Sequence, residues 1–440
     1  MKNFKITLIL LAIFWLTSCD GFLDEKPNKS ILVPETIADF EAIIDNYDRI
    51  NISPILPFMF SDDYWTTGSN WQSFNPWQQN AYKWSNDPFL PEDSPLDFSI
   101  LYRKIFSANV VLDKTSEIPD WPEADLNRLK GKALFWRAHG YFELAVLYLP
   151  VPGMTGDSPE IKLPLRSTAD FEARVEWKTS IEIFNLVISD LEESLLYLPK
   201  KTVYPTQPSF YSGHALLARI HLYLGNLEKA IMHAQEVLKG DFALLDYSKL
   251  NMSSPFPVAL FNSETILFTV MGAQSTVSGN NVAFVNPDLI KSYASDDLRL
   301  GFLVKNSAGN TYFKGGYTAK QDVFSGIALD EILLILAESN VRQGRVEEGL
   351  AQLNLLLVKR KKNFIPPSID SIDNTLEWVL DARRKSLLFR GQRWADLKRT
   401  NSLYPSPRIL RRQLGNEQIL LTASAENMIQ KIPQREIALQ

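Results

Sequence analysis

Apolar positions recur at helical spacing along most of the chain. The period predicts helices over 35–50 ("ETIADFEAIIDNYDRI"), 96–116, 122–149, 177–199, 209–224 and 227–239. Pro122 suits the first turn of its helix. From Ala133 to Leu149 that helix is apolar nearly all round, which predicts a buried central position. Three stretches lack the period. Residues 51–95 are rich in Pro, Asn, Asp, Ser and Trp and read as loop. "PVPGMTGDSPEIKLPLR" (150–166) breaks the chain. Residues 241–325 gain Asn, Ser, Gly and Phe and read as an insertion.

One pattern occurs twice. "LYLGNLEKA" (222–230) returns as "VRQGRVEEG" (341–349), each with a Gly between two apolar helices. Gly225 and Gly344 suit tight turns, and Ala230 and Gly349 allow close helix approach. This is similar to the helix-turn-helix unit of tetratricopeptide repeats, although the copies are not in tandem. The predicted fold is mostly α. It is a scaffold of tetratricopeptide-like helical pairs with long loop insertions and little β structure. Insertions from such scaffolds often form the binding face.

The N-terminus is different in kind. Lys2 and Lys5 precede an apolar run from Ile6 to Leu16, too short to span a bilayer, and Thr17-Ser18 lead to Cys19. Leu-Thr-Ser-Cys resembles a bacterial lipobox. Residues 1–18 are therefore expected to be a removed signal peptide and Cys19 a lipidation site. Residues 19–440 are expected to be one domain, tethered to a membrane by acyl chains. Cys19 is the single cysteine, so the body has no disulfide framework and no Cys-based metal site. A formal net charge of −5 argues against a nucleic-acid partner.

Chemical motifs are few. The histidines His139, His214, His221 and His233 make no HExxH pattern, and no nucleophile elbow or phosphate-binding Gly loop occurs. They are expected to be ordinary packed or solvated positions. The pairs Asp62-Asp63 and Asp296-Asp297 are adjacent, whereas glycoside hydrolysis needs carboxyls ~5–10 Å apart across a bond. No catalytic residue, metal or cofactor is predicted. Residues 65–84 hold four of the ten tryptophans: Trp65, Trp71, Trp77 and Trp84. Trp84, beside the following helix, is expected to staple the loop to the core. Trp65, Trp71 and Trp77 either staple the loop or offer flat faces to sugar rings, with Asp62 as a polar partner. The insertion offers Phe284, Tyr293, Tyr312 and Tyr317, with Asn281, Asp296 and Arg299. Tyr293 and Tyr312 are the preferred pair, because their hydroxyls can also bond a sugar. The ligand face is expected between Asp62–Trp77 and residues 241–325. Trp394 is expected in the core, sharing one helical face with Leu387, Gly391 and Leu397.

Several segments, in order, resemble the SusD/RagB family of outer-membrane nutrient-binding lipoproteins. They are "SCDGFLDEKP", "LYRKIFSANVVLD", "GKALFWRAHGYFELAVLYLPVPG", "ALLARIHLYLGNLEKAIMHAQEVL", "RRKSLLFRGQRWADLKR" and a strand-like closing "IQKIPQREI". The resemblance implies a non-enzymatic, surface-exposed lipoprotein of the outer membrane. Such a protein captures oligosaccharide, or sometimes peptide, for a SusC-like TonB-dependent transporter. The C-terminal segment departs from the family where Ala382, Ser386 and Arg390 stand in place of acids. Ion pairs to Arg383, Arg384 or Arg393 are then expected to be replaced or absent. A lipid-anchored protein-interaction scaffold and a glycoside hydrolase are the alternatives; the Trp loop disfavours the first and the lack of an acid/base pair the second.

Overall fold

The structure is a computed structural model that describes residues 34–117, 121–153, 158, 160–272, 275–366, 371–404, 408–422 and 426–438. The signal segment and Cys19 lie outside the described residues. Contacts divide the chain into two units, Met1–Phe40 and Glu41–Gln440. In the described part of the first, the Asp39 carboxylate accepts from the Glu35 and Thr36 amides. The second holds the helical body.

Its long helices are α1 (Leu96–Glu117), α2 (Glu123–Tyr148), α3 (Ser180–Ser194), α4 (Phe210–Tyr223), α5 (Leu227–Val237), α6 (Leu329–Arg342), α7 (Val346–Leu357), α8 (Ile372–Ser386) and α9 (Gln392–Leu403). The fold is mostly α with little sheet, as the periodicity predicts. Helix α2 lies between α1 and α3, and residues Gly131 to Tyr148 are buried almost without interruption. Its apolar surface on all sides therefore meets protein on all sides. Two expected helices are shorter. The segment 35–50 is split into Ile37–Ile44 and Tyr47–Ile50, because Asn46 takes an extended conformation that starts a second helix. Residues Glu176–Thr179 are a strand paired with Lys162–Leu165, and α3 begins only after Thr179, whose side chain forms a capping box with Glu182.

The repeated pattern makes two helical pairs, α4–α5 and α6–α7, with α5 packed on α6. Gly225 and Gly344 take φ of 75° and 79°, a left-handed turn that favours glycine. A Cβ at Gly349 would stand 2.5 Å from the Val341 side chain and 2.8 Å from the Ala337 carbonyl, so the small residue sets the spacing of α6 and α7. A buried ion pair joins the two pairs: Arg219 donates to Glu331 at 2.8 and 2.7 Å. His214 and His233 meet at 2.9 Å between α4 and α5, and His221 stacks on His233. These are packed repeat positions, as expected.

Among the described residues the sheets are two-stranded. The longest is the hairpin Ile409–Leu414 with Glu417–Thr422, turned at Gly415 with φ 58°. The closing segment, read as strand-like, is instead the short helix Gln434–Ala438. Among the described residues no helix is long and apolar enough to cross a membrane.

Candidate ligand-binding face

Residues 51–95, read as loop, contain short helices that side chains cap locally. Thr67 accepts from the Asn70 amide to start Gly68–Gln72. Asn75 and Gln78 form a capping box on Pro76–Tyr82, with Pro76 at its first position. The Trp segment is therefore an ordered excursion rather than a free loop.

Its base is an ion-pair cluster. Arg393 donates to both Asp62 oxygens, at 2.6 and 3.0 Å, and Arg384 bridges Asp62 at 3.1 Å and Asp63 at 2.7 Å. Burial alone would push the Asp62 carboxyl up, but Arg393 and Arg384 outweigh it and hold it well below the usual carboxylate range. Burial pushes Asp63 up, and the charge of Asp62 adds to that. The sequence expectation for Asp62 needs correction: its lone pairs are committed to two guanidinium groups, so it anchors the loop. The same contacts answer the departure in the C-terminal segment. Arg384 and Arg393 draw their acids from this loop, Arg383 pairs with Asp396 at 2.8 Å, and Arg390 pairs with Asp330 at 2.8 Å. The other Asp pair is also neutralised: Asp297 holds Arg299 at 2.7 Å and Asp296 faces Lys361 at 3.5 Å.

The loop and the insertion meet, as expected. The strand Tyr64–Trp65 runs antiparallel to Phe284–Val285. Asn70 donates to the Asn281 carbonyl at 2.8 Å, and the Asn286 amide and side chain donate to the Asp63 and Asp62 carbonyls at 2.8 and 2.9 Å. A cavity of about 50 Å³ opens in the insertion beside this seam, lined in part by Asn280, Lys320 and Phe256.

The four tryptophans separate by environment. Trp84 is buried, takes φ 60°, donates to the Phe60 carbonyl at 2.8 Å and carries the Arg412 guanidinium over its ring. It is the expected staple. Trp65, Trp71 and Trp77 are each half-buried. Trp65 leans on buried Phe284, with ring centroids 5.2 Å apart. Trp77 stacks on Phe89 at 5.4 Å. Trp71 donates to the Gln79 carbonyl at 3.3 Å and has the Lys83 ammonium 5.0 Å from its ring centre. Each ring is thus packed against protein and only partly covered.

The insertion aromatics depart from expectation. Tyr293 is buried, with Arg299 and Lys385 over its ring. Tyr317 is fully buried and donates to Glu264. Tyr312 is half-buried in the strand Thr311–Phe313, opposite Val304. With Tyr293 buried, the preferred pair is not offered to a ligand together; of the two, Tyr312 alone keeps an open surface. In the non-periodic insertion the sequence carries no signal of which aromatic faces inward.

Trp394 is fully buried against Phe60, with ring centroids 4.9 Å apart, as expected. Leu387 and Gly391 do not continue its helix, however. Gly391, with φ 74°, is the residue before α9, so a turn at 387–391 separates α8 from α9.

The chain is thus a scaffold of helical pairs with an ordered aromatic excursion, and comparison with known proteins shows what it is similar to. Residues 21–222 match a SusD-like family described as "Starch-binding associating with outer membrane". SusD-like protein P2 of Formosa agariphila is 26% identical over 257 residues, covering 55% of this chain and 47% of that protein. The chain thus aligns with about half the length of that relative. A SusD superfamily structure from Bacteroides thetaiotaomicron superposes with a TM-score of 0.74 at 19% identity, over 92% of this chain and 98% of that one. A laminarin-binding SusD-like protein superposes with a TM-score of 0.66 at 19% identity, over 92% and 97%. Residues 21–222 thus resemble the SusD-like family and the fold superposes on SusD-superfamily structures, which together support a SusD/RagB-family assignment.

Proposed function

We propose that this protein is a surface lipoprotein that captures oligosaccharides at the face between the Trp loop and the insertion, then passes them to a SusC-like TonB-dependent transporter in the outer membrane. One observation carries the binding reading. Three indole rings are half-buried on an excursion that ion pairs anchor and caps order, so what they expose is held without large loss of freedom on binding. Asn70, Gln72 and Asn80 stand among them as partners for hydroxyls. The family description and the laminarin-binding structural relative support a glycan over a peptide. Binding without catalysis is supported by the Asp62-Asp63 and Asp296-Asp297 carboxylates each facing a cation. Anchoring through Cys19 rests on the lipobox resemblance, and the transporter partner on the family resemblance.

Calorimetric titration of Trp65→Ala, Trp71→Ala and Trp77→Ala with oligosaccharides, beside thermal melts, tests the face. Stacking on an aromatic ring is worth ~1–3 kcal/mol for bases, and a sugar is similar or weaker. At least one variant should bind several-fold to about a hundredfold more weakly at unchanged Tm. Normal binding by all three would remove the site from this loop. Cys19→Ala should release the folded body from the membrane fraction; retention without a partner would overturn the anchor.

A further inference from the structure

A cavity of about 430 Å³ lies where the insertion meets α7 and α8, against about 50 Å³ for the one in the insertion beside Asn280 and Lys320. That size falls in the range of small-molecule sites, ~300–1,000 Å³. It contains no residue of the Trp loop. Its aromatic wall is Trp378 of α8, 42% exposed, with Phe364 beside it. Among the described residues no other ring covers the indole.

The charges are the informative feature. Three carboxylates and three cations line the cleft, and each is already paired: Asp297 with Arg299 at 2.7 Å, Asp381 with Lys385 at 2.6 Å and Asp296 with Lys361 at 3.5 Å. The lining is therefore neutral in sum, and a charged ligand would find its attractor already compensated. A neutral, hydroxyl-rich ligand has no such obstacle. Asp296 and Asp381 remain 41% and 45% exposed at their side chains, so they keep acceptor lone pairs toward the cleft while paired. Hydroxyls can donate to these carboxylates and accept from Lys361, and a ring's CH face can lie on Trp378. Asn363 adds an exposed amide at the rim, in a left-handed conformation with φ 49°.

We propose that this cleft is a second saccharide subsite. Trp378 is the platform for a neutral oligosaccharide, and Asp296, Asp381, Lys361 and Asn363 bond its hydroxyls. The proposal rests on the reading of the protein as a saccharide binder and adds a site apart from the Trp loop.

The test is calorimetric titration of the full mature chain with maltohexaose and with laminarihexaose. Wild type is compared with Trp378→Ala, Asn363→Gly and the three Trp-loop variants, with Trp177→Ala, also partly exposed at 38%, as a control. Trp378→Ala should lose about five- to a hundredfold in affinity, or lose one of two binding phases, with Tm unchanged. Asn363→Gly keeps the backbone geometry and removes the amide, so it should weaken binding several-fold. It also decides the matter if Trp378→Ala proves unstable. Wild-type titrations for both cleft variants, beside losses in a Trp-loop variant, overturn the second subsite and leave the loop face standing. Losses in the cleft variants alone keep the subsite and overturn the loop face. Wild type that binds neither sugar, or binds a neutral peptide through Trp378 instead, overturns the saccharide assignment.

Discussion

Asp62→Ala separates an anchoring role from a ligand-binding one. In the folded chain Asp62 accepts three hydrogen bonds from Arg393 and Arg384, at 2.6, 3.0 and 3.1 Å, and its side chain is 12% exposed. Removing one partner of a buried pair costs ~3–5 kcal/mol, chiefly by leaving the other charge uncompensated. Two features of the site favour the lower end. Arg384 keeps Asp63 at 2.7 Å, and Arg393 still has Asp63 at 3.8 Å. A loss of ~3 kcal/mol follows. Unfolding entropy of ~2.1 cal/mol/K per residue gives roughly 0.9 kcal/mol/K for a chain of this length, so Tm should fall by about 3 °C. The comparison is Glu417→Ala at the exposed Lys83–Glu417 pair, 37% and 60% open, which should change stability by under ~1 kcal/mol. Melts and urea titrations of both variants, with sugar titrations alongside, are the assay. Any binding defect in Asp62→Ala should accompany the stability loss, because the acid holds the Trp loop rather than the ligand. Wild-type stability with lost binding would refute the anchoring argument.

Burial lowers His221 to about 4 and His233 to about 3, with Lys229 adding to both shifts, and burial lowers His214 as well. The unfolded chain takes up protons below pH ~6.5 while the fold resists until about 4, so stability should fall as pH drops through that window, by up to ~1.4 kcal/mol per pH unit per histidine. Urea midpoints at pH 7, 6 and 5 should drop less for His221→Phe than for wild type, and parallel profiles would sink the argument. Trp394→Ala removes a fully buried indole and should cost ~3–5 kcal/mol; an unchanged Tm with lost sugar binding would move Trp394 into the site. Gly349→Leu should destabilise by several kcal/mol and separate α6 from α7, read by melts, since its Cβ already meets Val341 at 2.5 Å.

What the chain determines by itself is local. Helical period places α1, α2, α4 and α5 to within a residue or two, because each buries one stripe or, for α2, every side. Gly225 and Gly344 mark their left-handed turns, since few other residues take that conformation without strain. The capping boxes at Thr179 and Asn75 are written within four residues. What only the tertiary structure decided involves partners remote in sequence. Asp62 meets Arg393 across 331 residues, and no pattern near either one announces it. Tyr293 and Tyr312 look alike in a segment without period, yet one is covered by Arg299 and Lys385 and the other keeps an open edge. In the sequence Trp378 is one more large apolar side chain on an amphipathic helix, a pattern that does not distinguish core from cleft. Beside buried Val379 it stands on the flank of that helix, and only the packing of α8 against the insertion turns that flank into the wall of a cleft. Burial of a side chain depends on which surfaces fold against it, and in long loops that information lies in the opposing segment.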